Sequence, residues 1–174
     1  MTDSRKQWIA ALACGVLSGA AAAEPISASR GRWAGPVGER TAGWPAATAR
    51  LELRVDGTAE RFAIDLAVPG GTLVAGEFAA GKQKDVFGPP AASGIMSWLG
   101  RGSAVNPLEG KPLAWARREG EVLVVYRLDL AGGTHRLDRV ALTPAGERIG
   151  VVVERREHDR PPERLTATLE RSAR

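Results

Sequence analysis

Imidazoles are the usual general bases and metal ligands near neutral pH, and this chain has two, His135 and His158. A turn at Pro144–Gly146 would pair residues whose numbers add to roughly 290. His135 then faces about Arg155, and at ~3.3 Å per residue His158 sits roughly 10 Å further on. One metal ion needs its ligands about 2 Å away, so no shared metal is expected. Ser93 and Ser97 lack the G-x-S-x-G frame that exposes a serine nucleophile on a strand-to-helix turn. Gly70-Gly71 and Gly132-Gly133 read as turns, since no G-x-G-x-x-G leads from a strand into a helix. Carboxylate pairs such as Glu52/Asp65 fall on polar strand faces, where solvated charge pairs outnumber acid/base couples. The expectation is a noncatalytic protein with no metal and no cofactor.

Two groups of residues point to binding instead. Glu154 to Arg164 (ERREHDRPPER) is dense in charge, readable as a solvated hairpin tip or as a docking surface for a partner. Beyond the N-terminal segment there are four tryptophans, Trp33, Trp44, Trp98 and Trp115. Trp33 and Trp115 alternate with polar neighbours and read as core. Trp44 and Trp98 lie in loops and read as surface or mouth residues.

The elements that must position these residues show period-two alternation, the mark of a strand with one wet face. Ala49, Leu51, Leu53 and Val55 alternate with Thr48, Arg50, Glu52 and Arg54 until Asp56-Gly57. Phe62, Ile64, Leu66 and Val68 follow, stopped by Pro69-Gly70-Gly71. Further strands are read at 32–37, 73–78, 113–117, 122–130, 135–143 and 148–156, and around Leu165–Leu169. Val122, Val124, Tyr126, Leu128 and Leu130 share one face of the strongest of them. Eight or nine short strands at this spacing predict an all-β fold, an antiparallel up-and-down barrel of about eight strands that leaves no exposed edge. One stretch breaks the rhythm. Residues 82–110 form a long loop rich in Gly and Pro, with a possible helical turn at Ser93–Leu99, and act as a plug or a lid over the barrel.

Arg5 and Lys6, the apolar run Ile9–Leu17 and Ala21-Ala22-Ala23 make the three-part pattern of a secretory signal. The run is short of the ~20 apolar residues of a membrane span. Cleavage is expected after Ala23, leaving a flexible stretch at 24–30 and a domain at 31–174 in the periplasm or outside the cell, with no membrane span. Cys14 lies in the apolar run, but Ala11 stands where a lipoprotein signal carries Leu. Ser4-Arg5-Lys6-Gln7-Trp8 approximates a twin-arginine signal with Lys in the second Arg position. Losing residues 1–23 removes Asp3, Arg5, Lys6 and the one cysteine. The remaining chain carries 22 basic and 19 acidic side chains, mixed rather than blocked, which speaks against a nucleic-acid partner. It has no thiol for a disulfide or a thiolate metal site.

Gly31-Arg32-Trp33, opening the first strand, resembles the G-x-W signature of lipocalins and related calycin barrels. That resemblance implies a tryptophan packed across the closed end of the barrel and covered by an arginine from near the last strand. Arg171 is the matching position, with Arg155 and Arg156 as rivals. The T-D-Y-type motif and the paired cysteines of the family are absent. On this reading the barrel holds a small apolar or amphipathic ligand against Phe62, Trp115 and Tyr126, with Phe87 and Trp98 at its mouth. The alternative is an envelope interaction or inhibitor module working through its loops and the arginine-rich tip. A continuous cavity favours the first, a filled barrel with an exposed apolar or charged patch the second.

Overall fold

The computed structural model describes residues 24–172, apart from 42, 46–47, 70, 91–110, 131–134 and 159. A short helix, α1 (Pro25–Ser29), precedes ten strands: β1 (Gly31–Arg40), β2 (Arg50–Gly57), β3 (Arg61–Val68), β4 (Gly71–Ala80), β5 (Val86–Gly88), β6 (Leu113–Glu119), β7 (Val122–Asp129), β8 (Arg136–Ala145), β9 (Arg148–Glu157) and β10 (Glu163–Arg171). Each strand pairs antiparallel with the next, and β1 also pairs with β10, closing a barrel. The expected strands are all present. The count is ten rather than nine because β5 sits inside the stretch read as one long loop. Three residues are too few to show alternation.

The inward positions are the apolar ones that the alternation marks. Leu51, Leu53 and Val55 on β2, Phe62, Ile64 and Leu66 on β3, and Leu165, Ala167 and Leu169 on β10 join one core. Burial of each Leu, Ile, Val or Phe among them contributes about 1.5–3 kcal/mol.

One end of the barrel is closed by α1, which forms where a flexible stretch was expected. Pro25 starts the helix at a position that needs no N–H donor. Ile26 is 1% exposed and joins the core. The Trp33 indole Nε1–H donates to the Ser29 carbonyl at 2.7 Å, which ties α1 to β1. The Arg171 guanidinium lies 4.3 Å from the centre of the Trp33 ring, and its Nη1 donates to the Arg30 carbonyl. Gly31 makes this stack possible. Its φ is +129°, and a Cβ there would lie 2.9 Å from Arg171 Nη1. Gly35 serves close approach, since a Cβ on it would strike the Thr168 carbonyl of β10.

The half-ring at β4–β6 is thinner. β5 meets β4 only at Ala79 and Ala80, and meets β6 only at Ala116 and Arg117. Among the described residues, β4 from Gly71 to Phe78 therefore has a strand on one side only.

Trp33→Ala is expected to cost about 3–5 kcal/mol, since it removes a large buried side chain. Arg171→Ala removes an exposed cation–π contact worth about 0.5–1 kcal/mol. Urea unfolding of the two variants should separate them clearly.

Candidate functional site

Among the described residues the inward side chains pack closely against one another. Trp33, Phe62, Phe78, Leu51, Leu66 and Leu123 are each at most 2% exposed, which leaves no water-sized space against them. Phe62 stacks on Phe78 at 5.3 Å and meets Phe87 edge-on at 5.1 Å. Phe87 is thus a core residue rather than a mouth residue. Trp98 lies outside the described residues, as does the helical turn read at Ser93–Leu99. The supposed ligand wall does not assemble, because Trp115 and Tyr126 point outward. On β6 it is Ala114 and Ala116 that meet the core, and on β7 it is Leu123 and Val125. β7 is apolar on both faces between Val122 and Tyr126, so alternation alone could not say which face turns in.

At the end opposite α1, called the open end below, the described inward side chains of β7–β10 are charged. On the inward face Arg127 stands opposite Asp138, Asp138 opposite Arg155, and Arg155 opposite Glu163. One row further out, Asp129 stands opposite Arg136 and Arg136 opposite Glu157. Signs alternate both along the strands and across them. Asp138, 1% exposed, is the hub. Its Oδ1 is 2.7 Å from Arg155 Nε and its Oδ2 is 3.4 Å from Arg136 Nε. The second contact is a charge pairing without hydrogen-bond alignment. Asp129 Oδ2 lies 3.6 Å from Arg127 and 3.7 Å from Arg136.

Two arginines carry this ladder into its surroundings. Arg127 Nη1 donates to the Leu73 carbonyl at 3.0 Å. Leu73 is the extra residue where the β3–β4 register shifts, so the guanidinium satisfies a carbonyl on the thin side of the wall. Arg155 lies 4.5 Å from the Trp44 ring. Trp44 is therefore buried under the ladder at the open end and is not a surface residue. Arg40 Nη1 donates to the Thr48 and Pro45 carbonyls and pins the same loop. The segment Glu154–Arg164 is accordingly more than a solvated tip. Arg155 turns inward, whereas Glu154 turns outward and pairs with Arg139 at 3.4 Å.

The histidines are closer than the sequence reading placed them. The turn falls at Gly146-Glu147, so Ala145 pairs with Arg148 and the numbers of paired residues add to 293. Arg136 opposes Glu157, and one step on His135 opposes His158, their rings 4.6 Å apart. Both are exposed. No group of three or more potential His, Cys, Asp or Glu ligands occurs among the described residues. Glu52 and Asp65 lie on the outer surface around a groove of about 300 Å³, with Arg50 and Arg54 beside them.

The outer face of β6–β9 carries what the sequence reading missed. Trp115 and Tyr126 stack there with ring centres 5.0 Å apart and planes within 9°. Leu113, Leu128 and Leu137 form the neighbouring row across the same face, each half-buried. Tyr126, Leu137, Arg139, Glu154 and Arg156 surround a pocket of about 200 Å³.

No family model matches the chain, and no curated protein matches it. Among solved structures it is similar to secretory abundant heat soluble protein 4 from Ramazzottius varieornatus. That likeness has 12% identity and a TM-score of 0.48, and covers 86% of this chain and 96% of that one. The barrel is established by the strand pairing itself. No helix among the described residues is long and apolar enough to cross a membrane.

Breaking a buried ion pair from one side costs about 3–5 kcal/mol. Asp138→Ala should fall at the low end of that range, because Arg155 and Arg136 keep some access to water. Chemical denaturation checks this, and Asp138→Asn should recover part of the loss by keeping a hydrogen-bond acceptor for Arg155.

Proposed function

We propose that this chain is an exported, noncatalytic barrel that recognises another protein of the envelope through the outer face of β6–β9. The observation that carries the reading is the contrast between inside and outside. Aromatic and aliphatic side chains of the described residues pack against one another inside the barrel, and the inward side chains of β7–β10 at the open end form an ionic ladder. An apolar ligand entering there would have to displace charge pairs around Asp138. Outside, the stacked Trp115 and Tyr126, the row Leu113–Leu128–Leu137 and the flanking Arg139 and Arg156 have the composition of an interface centre, which is rich in Trp, Tyr and Arg. The outer faces of β2 and β3 carry Arg50, Glu52, Arg54, Asp56 and Asp65 instead, which favours contact through one side of the barrel. Export is supported by the Arg5-Lys6, Ile9–Leu17 and Ala21–Ala23 pattern.

A photo-crosslinking residue placed at Leu137 in the producing cell should yield one discrete adduct. The same residue at Asp65, on the charged side, should yield none, and Trp115→Ala should abolish the Leu137 adduct while leaving the fold intact. Absence of the adduct, together with a reproducible small-molecule mass on the purified protein in native mass spectrometry, would overturn this reading in favour of a ligand carrier.

A further inference from the structure

We infer that His135 and His158 form a surface site for one late first-row divalent cation, Cu²⁺, Ni²⁺ or Zn²⁺, chelated across β8 and β9. The inference is independent of export and of the proposed recognition face. It stands on a closeness of two imidazoles that their spacing in the chain does not reveal.

The β8–β9 hairpin brings the two rings together. Its ladder runs from Ala145 opposite Arg148 to Arg136 opposite Glu157. One step further, the His158 N–H donates to the His135 carbonyl at 3.3 Å. Directly opposed residues of an antiparallel pair project on one face, with Cβ atoms about 4.5–5.5 Å apart. Here the ring centres are 4.6 Å apart and the planes cross at 58°, so the rings are not stacked face to face. Two imidazole nitrogens that each lie ~2.0–2.1 Å from one ion, at a near-tetrahedral angle, are roughly 3 Å apart and hold their ring centres at about 5 Å. Small side-chain rotations convert the observed spacing into that one. Both histidines are exposed, so an ion reaches them without opening the fold. A ligating imidazole uses one nitrogen and keeps the other for a hydrogen bond, so the site does not require either ring to be without other contacts.

The hairpin also lowers the cost of assembling the site. The backbone of both residues is already set, and just beyond the ladder the Arg160 N–H donates to the Glu157 carbonyl at 3.3 Å, closing a turn around His158. What remains to be ordered is two short side chains. The neighbouring charges are largely met. Arg136, beside His135, lies 3.7 Å from Asp129 and 3.4 Å from Asp138. Glu157, beside His158, lies 2.9 Å from Arg160. Arg156 is exposed, two residues before His158 on the same strand face, and lines the small pocket with Leu137. Its charge opposes a second cation, which makes the ion exchangeable rather than permanently held. Two nitrogens also fall short of the four protein ligands of a closed structural zinc site, and water takes the remaining positions. Imidazole selects Cu²⁺, Ni²⁺ and Zn²⁺ over Mg²⁺ and Ca²⁺, and among the three Cu²⁺ binds most tightly.

The test uses the full 174-residue chain, untagged and carrying Cys14→Ser so that no thiol competes, titrated calorimetrically with Cu²⁺ and Ni²⁺ and with Mg²⁺ as control. One equivalent of each transition ion should bind, and no Mg²⁺. His135→Ala and His158→Ala should each weaken binding at least about tenfold, since losing a group that merely orients a ligand already costs about 10–100-fold. Both side chains are exposed, so without metal the two variants should keep the parent's urea midpoint. Saturating Ni²⁺ should raise that midpoint in the parent and in neither variant, because an ion chelated across two strands binds the folded chain in preference to the unfolded one. Binding that survives either substitution unchanged overturns the inference. Binding that leaves the parent's midpoint where it was also overturns it, and marks an adventitious ion only.

Discussion

Strand β1 is bonded on both sides at once, to β2 from Gly31 to Pro36 and to β10 from Trp33 to Arg40. This double pairing turns ten strands into a barrel, and everything else in the molecule depends on it. With β1 in place no edge is left between first and last strands. The inward side chains of β2, β3, β9 and β10 then converge on one core. Trp33 holds the position. Its ring spans the closed end, its N–H binds α1, and Arg171 covers it from β10. Gly31 and Gly35 permit the approach, one through a positive φ and the other by leaving room for the Thr168 carbonyl.

The two ends of the barrel solve the same problem by different physics. At the closed end a short helix brings Ile26 into the core and anchors it through Glu24, Arg118 and Asp85. At the open end the inward face of β7–β9 switches from Val125, Val140 and Val153 to Arg127, Asp138 and Arg155 within one step of the ladder. Alternating signs let each guanidinium meet a carboxylate, which offsets the cost of taking both from water. The same arginines tie down what would otherwise be loose, the Leu73 carbonyl on the thin wall and the loop carrying Trp44.

A closely packed core moves attention to the outside. Apolar surface on a barrel of this size is ordinary when scattered, but here it is gathered on β6–β9 around the Trp115–Tyr126 stack. The outer faces of β2 and β3 are charged. Charge on one side and an aromatic row on the other make the barrel asymmetric in what it offers a partner.

Amino-acid order alone determined the all-β class and nine of the ten strands, because alternation and Gly/Pro punctuation are local properties of the chain. The resemblance of Gly31-Arg32-Trp33 to a G-x-W signature pointed to Arg171 beside Arg155 and Arg156, and it is Arg171 that lies over the Trp33 ring. Three things were decided only in three dimensions. The inward face of β7 was not legible, since apolar residues occupy both faces and the neighbouring strands select one. The separation of His135 and His158 was misjudged because a turn shifted by little more than a residue changes every cross-strand partner. The charged ladder was invisible because its members are scattered along the chain from Arg127 to Glu163. Their complementarity exists only once β7, β8, β9 and β10 lie side by side, since register, not sequence distance, sets which charges meet.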